Sequence, residues 1–203
     1  STSTSANGPG GAGASDGTST TATACGLNAK AGSDSAVFGA NASAISNDAV
    51  AIGSNAIAAK SRATAIGANS NANDFNTVAI GSSANALYTD AIAIGADATS
   101  VGSGVAIGAY AYTGYTAALA LGYFANATGD SAIAIGQMAN AQGFEAIAVG
   151  YNSEAPGIGA SAFGNSALAS GDNSSAFGGG ANAYAENSTA VGASSQALGG
   201  NAI

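Results

Sequence analysis

"SAIAIGQMANAQGFEAIAVG" (residues 131–150) holds two near-copies of one phrase, AIAIG and AIAVG, whose closing glycines, Gly136 and Gly150, lie 14 residues apart. Anchored on that glycine, the phrase recurs at Gly26, Gly39, Gly53, Gly67, Gly81, Gly95, Gly108, Gly122, Gly136, Gly150, Gly164, Gly178 and Gly192. Ten of the twelve intervals are 14 residues; the other two, Gly26 to Gly39 and Gly95 to Gly108, are 13. A fixed period of this kind marks a repeat architecture. Ala202 and Ile203 fall where a fourteenth phrase begins, so the sequence is expected to break off inside a further repeat. Residues 1–20 lack the phrase and are rich in Ser, Thr and Gly, which predicts a flexible lead-in before the repeats of 21–203.

Alanine favours helix, but alternation decides for strand. With the anchor glycine as position 0, position −1 is always Cys, Phe, Ile, Leu or Val, and −2 is alanine in twelve of thirteen copies, Val37 being the exception. This is period-two patterning, the strand signal. A second alternating run follows the glycine, with alanine at +3 and +5 in residues 54–58, 123–127 and 137–141 and mostly polar residues at +2 and +4; a further glycine often stands at +7, as in Gly129, Gly143, Gly157 and Gly171. Each repeat reads as strand, glycine turn, strand, turn, with two strands of about five residues. Stacked coils of this form make an all-β parallel roll, each strand pairing with its counterpart in the next coil.

Positions −3 and −1 share one side of the first strand, and their volumes compensate. Small residues accompany Phe (Ala36 with Phe38, Ser161 with Phe163, Ser175 with Phe177), whereas large ones accompany Ile (Val50 with Ile52, Ile92 with Ile94, Ile133 with Ile135). Constant volume implies a packed space, so −3 and −1 are expected to fill the roll. Cys25, at a −1 position, then reads as a small core residue. The alanines at −2 are expected to face outward as a smooth sheet for self-association: Ala51, Ala65, Ala79, Ala93, Ala106, Ala120, Ala134, Ala148, Ala162, Ala176 and Ala190.

Composition narrows the function. Three basic residues oppose eleven acidic ones, giving a net charge of −8, which disfavours nucleic acid and polybasic membrane contacts. The chain has no histidine and one cysteine, so no zinc site, internal disulfide or His-dependent catalysis is expected, and no cofactor. Asp130 and Glu145, the one conceivable acid/base pair, occupy turn positions one coil apart and read as solvated turn acids. The nine-residue calcium-roll phrase is absent, and Thr is too scattered for an ice-binding array.

At +2, Asn28, Asn41, Asn55 and Asn69 are expected to stack as an Asn ladder. Three consecutive coils then carry Tyr110, Phe124 and Met138 at this position, with Tyr112 and Tyr123 nearby. These five form the candidate ligand patch, since aromatic residues dominate interface hot spots; the alternative is that the rings pack across a protomer boundary or over a turn.

The phrases "NDAVAIGSNAIA" (47–58), "TDAIAIGADAT" (89–99) and "DSAIAIGQMANAQG" (130–143) resemble the repeat of YadA-like heads in trimeric autotransporter adhesins. The resemblance implies a left-handed parallel β-roll, a parallel homotrimer and a place on the extracellular face of a Gram-negative outer membrane, with the anchor outside residues 1–203. It implies a non-enzymatic head that attaches to host cells or extracellular matrix by multivalent display. The alternative is a spacer that carries a binding module elsewhere. Several copies, such as "YTDAIAIG" and "GFEAIAVG", depart from the family's usual Asn-Ser opening, so no ligand-binding residues are carried over from it.

Overall fold

The computed structural model describes residues 21–202; the expected lead-in over 1–20 lies outside them. The chain divides into two compact units, one ending at Ser100 and the other beginning at Val101. Each is a parallel β-solenoid with no helix among its described residues.

Every coil contributes a three-residue and a two-residue strand, such as Ile133–Ile135 and Asn140–Ala141. Both pair in parallel with the next coil: Ile133, Ala134 and Ile135 oppose Ile147, Ala148 and Val149, and Asn140 and Ala141 oppose Glu154 and Ala155. The strands are shorter than the five residues expected because the turns take up more of the coil. Position +2 adopts left-handed backbone, as at Met138 (φ 59°), and a second left-handed residue follows across the coil, as at Glu145 (φ 55°). The turns also pair from coil to coil. The Met138 N–H donates to the Tyr123 carbonyl at 2.9 Å, and the Glu145 N–H to the Asp130 carbonyl at 2.9 Å. Backbone donors are thus satisfied around the coil and not only along its strands.

The anchor glycine is where coils come closest. Gly136 has φ +129°, and a Cβ built there would lie 2.5 Å from the Gly150 carbonyl oxygen. Any side chain would force neighbouring coils apart. The 14-residue recurrence of glycine is therefore a close-approach requirement renewed at each coil.

The facing of the first strand is the reverse of the expectation. Ala51, Ala65, Ala79 and Ala93 in the first unit are fully buried, as are Ala106, Ala120, Ala134, Ala148, Ala162 and Ala176 in the second, with Ala190 nearly so. They form the interior with the small residues at −4, +3 and +5, and none of them presents a surface for a sister chain. Positions −3 and −1 point out of the roll: Ile52, Phe38, Leu121 and Phe177 are exposed, and Ile133 and Ile135 are half-buried. Cys25, at −1, is likewise exposed. The reason is space. The largest fully buried side chains are Val37, Thr77 and Thr113, followed by serines, so the interior holds groups of methyl to isopropyl size and has no room for Ile, Leu or Phe. Where Thr113 enters it, alanine's place across the coil is taken by Gly104, whose Cβ would stand 2.5 Å from the Thr113 hydroxyl.

Most buried hydroxyls return to the backbone. Ser70 Oγ donates to the Gly67 carbonyl at 2.9 Å, Thr77 Oγ1 to the Asp74 carbonyl at 2.6 Å and Ser188 Oγ to the Ala185 carbonyl at 2.6 Å. Among the described residues, the Ser174 hydroxyl is buried with no partner, a burden an alanine would not carry.

Three substitutions test this interior. Gly136→Ala combines positive φ with overlap on the next coil and is expected to destabilise by about 1–3 kcal/mol or more, lowering the thermal midpoint. Ala134→Leu, which overfills the interior, is expected to cost about 1–3 kcal/mol or more; if it is tolerated without loss, alanine does not face inward. Ser174→Ala should leave stability unchanged or raise it by up to about 1 kcal/mol, read as an upward shift in thermal or denaturant midpoint.

Candidate binding surface

The interior fixes which side chains are free to meet a ligand. Positions −4, −2, +3 and +5 are buried, and the glycines at 0 are held by the neighbouring coil. The outward columns remain: −3 and −1 on the first sheet, +2 at the first turn, +4 on the second sheet, and the second turn.

In the first unit the +2 column is the expected ladder. Asn28 Nδ2 donates to Asn41 Oδ1 at 3.1 Å, Asn41 to Asn55 at 3.2 Å and Asn55 to Asn69 at 3.1 Å. Asn suits this place twice over, since its amide links adjacent coils and it tolerates left-handed backbone better than other side chains.

The second unit places Tyr110, Phe124 and Met138 on that column, with φ of 59°, 55° and 59°. Bulky residues in the left-handed region carry strain of about 1–2 kcal/mol each. Burial does not offset it, because all three are exposed. Their rings instead contact one another. Tyr110 and Phe124 stack with centroids 4.6 Å apart and planes 8° from parallel. Tyr123 stands edge-on to both, at 6.1 Å from Tyr110 and 4.6 Å from Phe124. Met138 continues the column one coil further. Of the five candidate ligand residues, the structure brings these four together. Tyr112, also exposed, stands on the +4 column opposite Asn126 and outside the ring cluster.

Sequence reasoning missed the other wall. Phe124 and Met138 line an open groove of about 410 Å³ with Asn126, Asn140, Asn152 and Glu154. Asn126 Nδ2 donates to Asn140 Oδ1 at 3.1 Å. The signal is present in the sequence, since +2 and +4 flank the same turn and share a groove. In the first unit the corresponding groove is lined by Asn28, Lys30, Asn41 and Ser43, with no large apolar side chain among them.

The second distinctive surface is the outward side of the first sheet. Ile52, Ile66, Ile80 and Ile94 follow one another at −1 in the first unit; Leu121, Ile135, Val149, Phe163 and Phe177 do so in the second. Phe163 and Phe177 stack at 5.3 Å. Asp130 and Glu145 meet through their backbones in the second turn, and among the described residues no three Cys, Asp or Glu gather into a possible metal site.

Comparison with known proteins agrees with this architecture. The family profile described as YadA head domain repeat (2 copies) matches residues 44–70, 58–84, 72–98, 116–137, 141–167, 169–195 and 183–203, well over half of the chain. The crystal structure of the collagen-binding domain of Yersinia adhesin YadA is similar, with 31% sequence identity, a TM-score of 0.58, and coverage of 61% of this chain and 69% of that one. No curated protein sequence matches the chain. Repeat, solenoid and family profile together make this chain a member of the YadA head-repeat family.

Proposed function

We propose that this chain is a head segment of a surface adhesin on the outer membrane of a Gram-negative bacterium, attaching to host cells or extracellular matrix without catalysing a reaction. It works as a parallel homotrimer, which presents each weak site three times so that avidity exceeds single-site affinity. Three chains of net charge −8 each keep the assembly soluble and disfavour acidic polysaccharides.

The observation that carries the adhesive reading is the strained, exposed Tyr110–Phe124–Met138 column. An Asn ladder fits the same positions in the first unit at lower backbone strain, and the aromatic column adds nothing to the buried core. Strain kept at an exposed apolar cluster points to recognition. A bare spacer has no use for it. The similarity to the collagen-binding domain of an adhesin supports matrix protein as the ligand class.

Self-association rests on the outward −3 and −1 columns. A contiguous apolar face is an interface signal. Volume compensation between Ser161 and Phe163, or Ile133 and Ile135, supports the same reading. These side chains lie outside the roll, so the confined space their volumes obey lies between chains.

Sedimentation equilibrium is expected to give three times the 18.8 kDa chain mass. Ile135→Asp should shift the species toward monomer; a stable wild-type monomer would sink the trimer. For adhesion, the fragment alone should bind immobilised collagen. The double variant Tyr110→Asn, Phe124→Asn should bind about tenfold or more weakly with an unchanged or higher melting temperature. Unchanged binding with a lower melting temperature would assign the rings a structural role only.

A further inference from the structure

The groove beside the aromatic column has two unlike walls, and their chemistry specifies an occupant. The apolar wall is formed by Phe124 and Met138 at +2. The polar wall is formed by Asn126, Asn140 and Glu154 at +4, and Asn152 follows Met138 on the first column. Asn140 Oδ1 is taken by Asn126 Nδ2 at 3.1 Å, which leaves the Asn140 amide nitrogen as a donor. Glu154 is exposed, and among the described residues its carboxylate has no hydrogen-bond or ion-pair partner. Charge gives the groove a direction. All three cations of the chain, Lys30, Lys60 and Arg62, lie in the first unit. Residues 101–203 contain Asp130, Glu145, Glu154, Asp172 and Glu186 and no basic side chain. The groove therefore sits in a one-sign field that attracts cationic partners.

Spacing narrows the occupant further. Adjacent coils are about 4.8 Å apart. The midpoint of the Phe124–Met138 wall lies about one and a half coils, or roughly 7 Å, from Glu154 along the stacking direction. In an extended peptide, side chains at i and i+2 point to the same side and are about 6.8 Å apart. We infer that the groove binds an extended peptide segment of a partner protein, laying an apolar side chain across Phe124 and Met138 and placing a Lys or Arg two residues away on Glu154. The Asn140 amide nitrogen donates to a peptide carbonyl between these two anchors. Such a ligand gains both a desolvated apolar contact and a charge-assisted hydrogen bond, and a neutral saccharide has no cation for Glu154. The inference rests on the adhesive reading above and gives that site its ligand chemistry.

Met138 is the only methionine in the chain, so ¹³C-methyl-methionine labelling yields one resonance, on the groove wall. The probes are three capped peptides differing at two positions: Gly-Ser-Leu-Thr-Lys-Ser-Gly, its Lys-to-Glu counterpart and its Leu-to-Ser counterpart. The first is expected to shift the Met138 methyl saturably, while the other two leave it in place at equal concentration. Glu154→Gln should weaken binding of the first peptide by about threefold or more, and Phe124→Asn should abolish it with the fold retained. Equal shifts from the Lys and Glu peptides, no effect of Glu154→Gln, or a Met138 methyl that no peptide moves would overturn the inference. A methyl shifted by cellobiose and by none of the peptides would overturn it in favour of a saccharide. The two readings fail separately. Collagen binding that is lost in Phe124→Asn, with no response to any peptide, removes the peptide specification and keeps the adhesive site. Peptide binding with no collagen binding removes the matrix reading and keeps the groove.

Discussion

The rest of the structure depends on how little space a 14-residue coil encloses. Successive coils touch at the anchor glycine, where a single added carbon on Gly136 would overlap the Gly150 carbonyl. The two strands of a coil close over side chains of methyl size. That one limit selects alanine and serine inside, expels Ile, Leu and Phe to the outer face, and sets Gly104 against Thr113 where that threonine enters. Stability in such a fold cannot come from burying large apolar groups. It comes from a nearly complete set of coil-to-coil hydrogen bonds, turns included, and from an interior at close-packed density. The chain then carries its larger apolar side chains outside, where only association can cover them.

Much of this was legible in the sequence. The glycine period fixed the coil, and alternation fixed two strands and their parallel pairing. What alternation could not supply was the sense of the first strand. A period of two says that Ala132 and Ala134 share one side and Ile133 and Ile135 the other; it does not say which side is enclosed. The usual rule that larger apolar residues go inside gave the wrong sense. The volume compensation at −3 and −1 was real, but those side chains lie outside the roll, so it does not report the chain's own interior. The deciding signal was available in the second strand, where +3 and +5 are also Ala, Ser or Thr. Two strands facing one interior must present side chains matched to its width. Small residues at −4, −2, +3 and +5 together describe a single narrow interior, whereas Ile at −1 opposite Ala at +3 does not.

The candidate site divides in the same way. The aromatic break in the +2 column stood out because a column of like residues makes an exception visible. Glu154, Asn126 and Asn140 did not, because an Asn or Glu at +4 is ordinary for an outward strand position and gains meaning only from the neighbour across the turn. Left-handed backbone at Tyr110, Phe124 and Met138 was also beyond a period-two argument, since it depends on the turn geometry that follows the glycine. That backbone detail raises the aromatic column from a compositional curiosity to a physical anomaly.

Where such a solenoid can acquire specificity follows from the same constraint. Interior positions are limited by volume, anchor glycines by the next coil, and −1 and −3 by whatever covers them. Only the turns and the outer strand can change residue type without disturbing the stack. At +2 the penalty for leaving Asn is bounded, about 1–2 kcal/mol of backbone strain and the loss of an exposed amide link, so the stacked coils tolerate a few such exceptions. A site made from one column and its neighbour has its subsites set at the coil spacing, about 4.8 Å. It therefore suits ligands that are themselves extended and periodic, and discriminates among them by which two coils carry the exceptions. In this chain the coils of Tyr110, Phe124 and Met138 carry them, and the groove uses the last two, with Glu154 one step beyond. On the proposed reading, the choice of ligand rests on the order of these outward residues, and the stacked coils on either side hold their spacing.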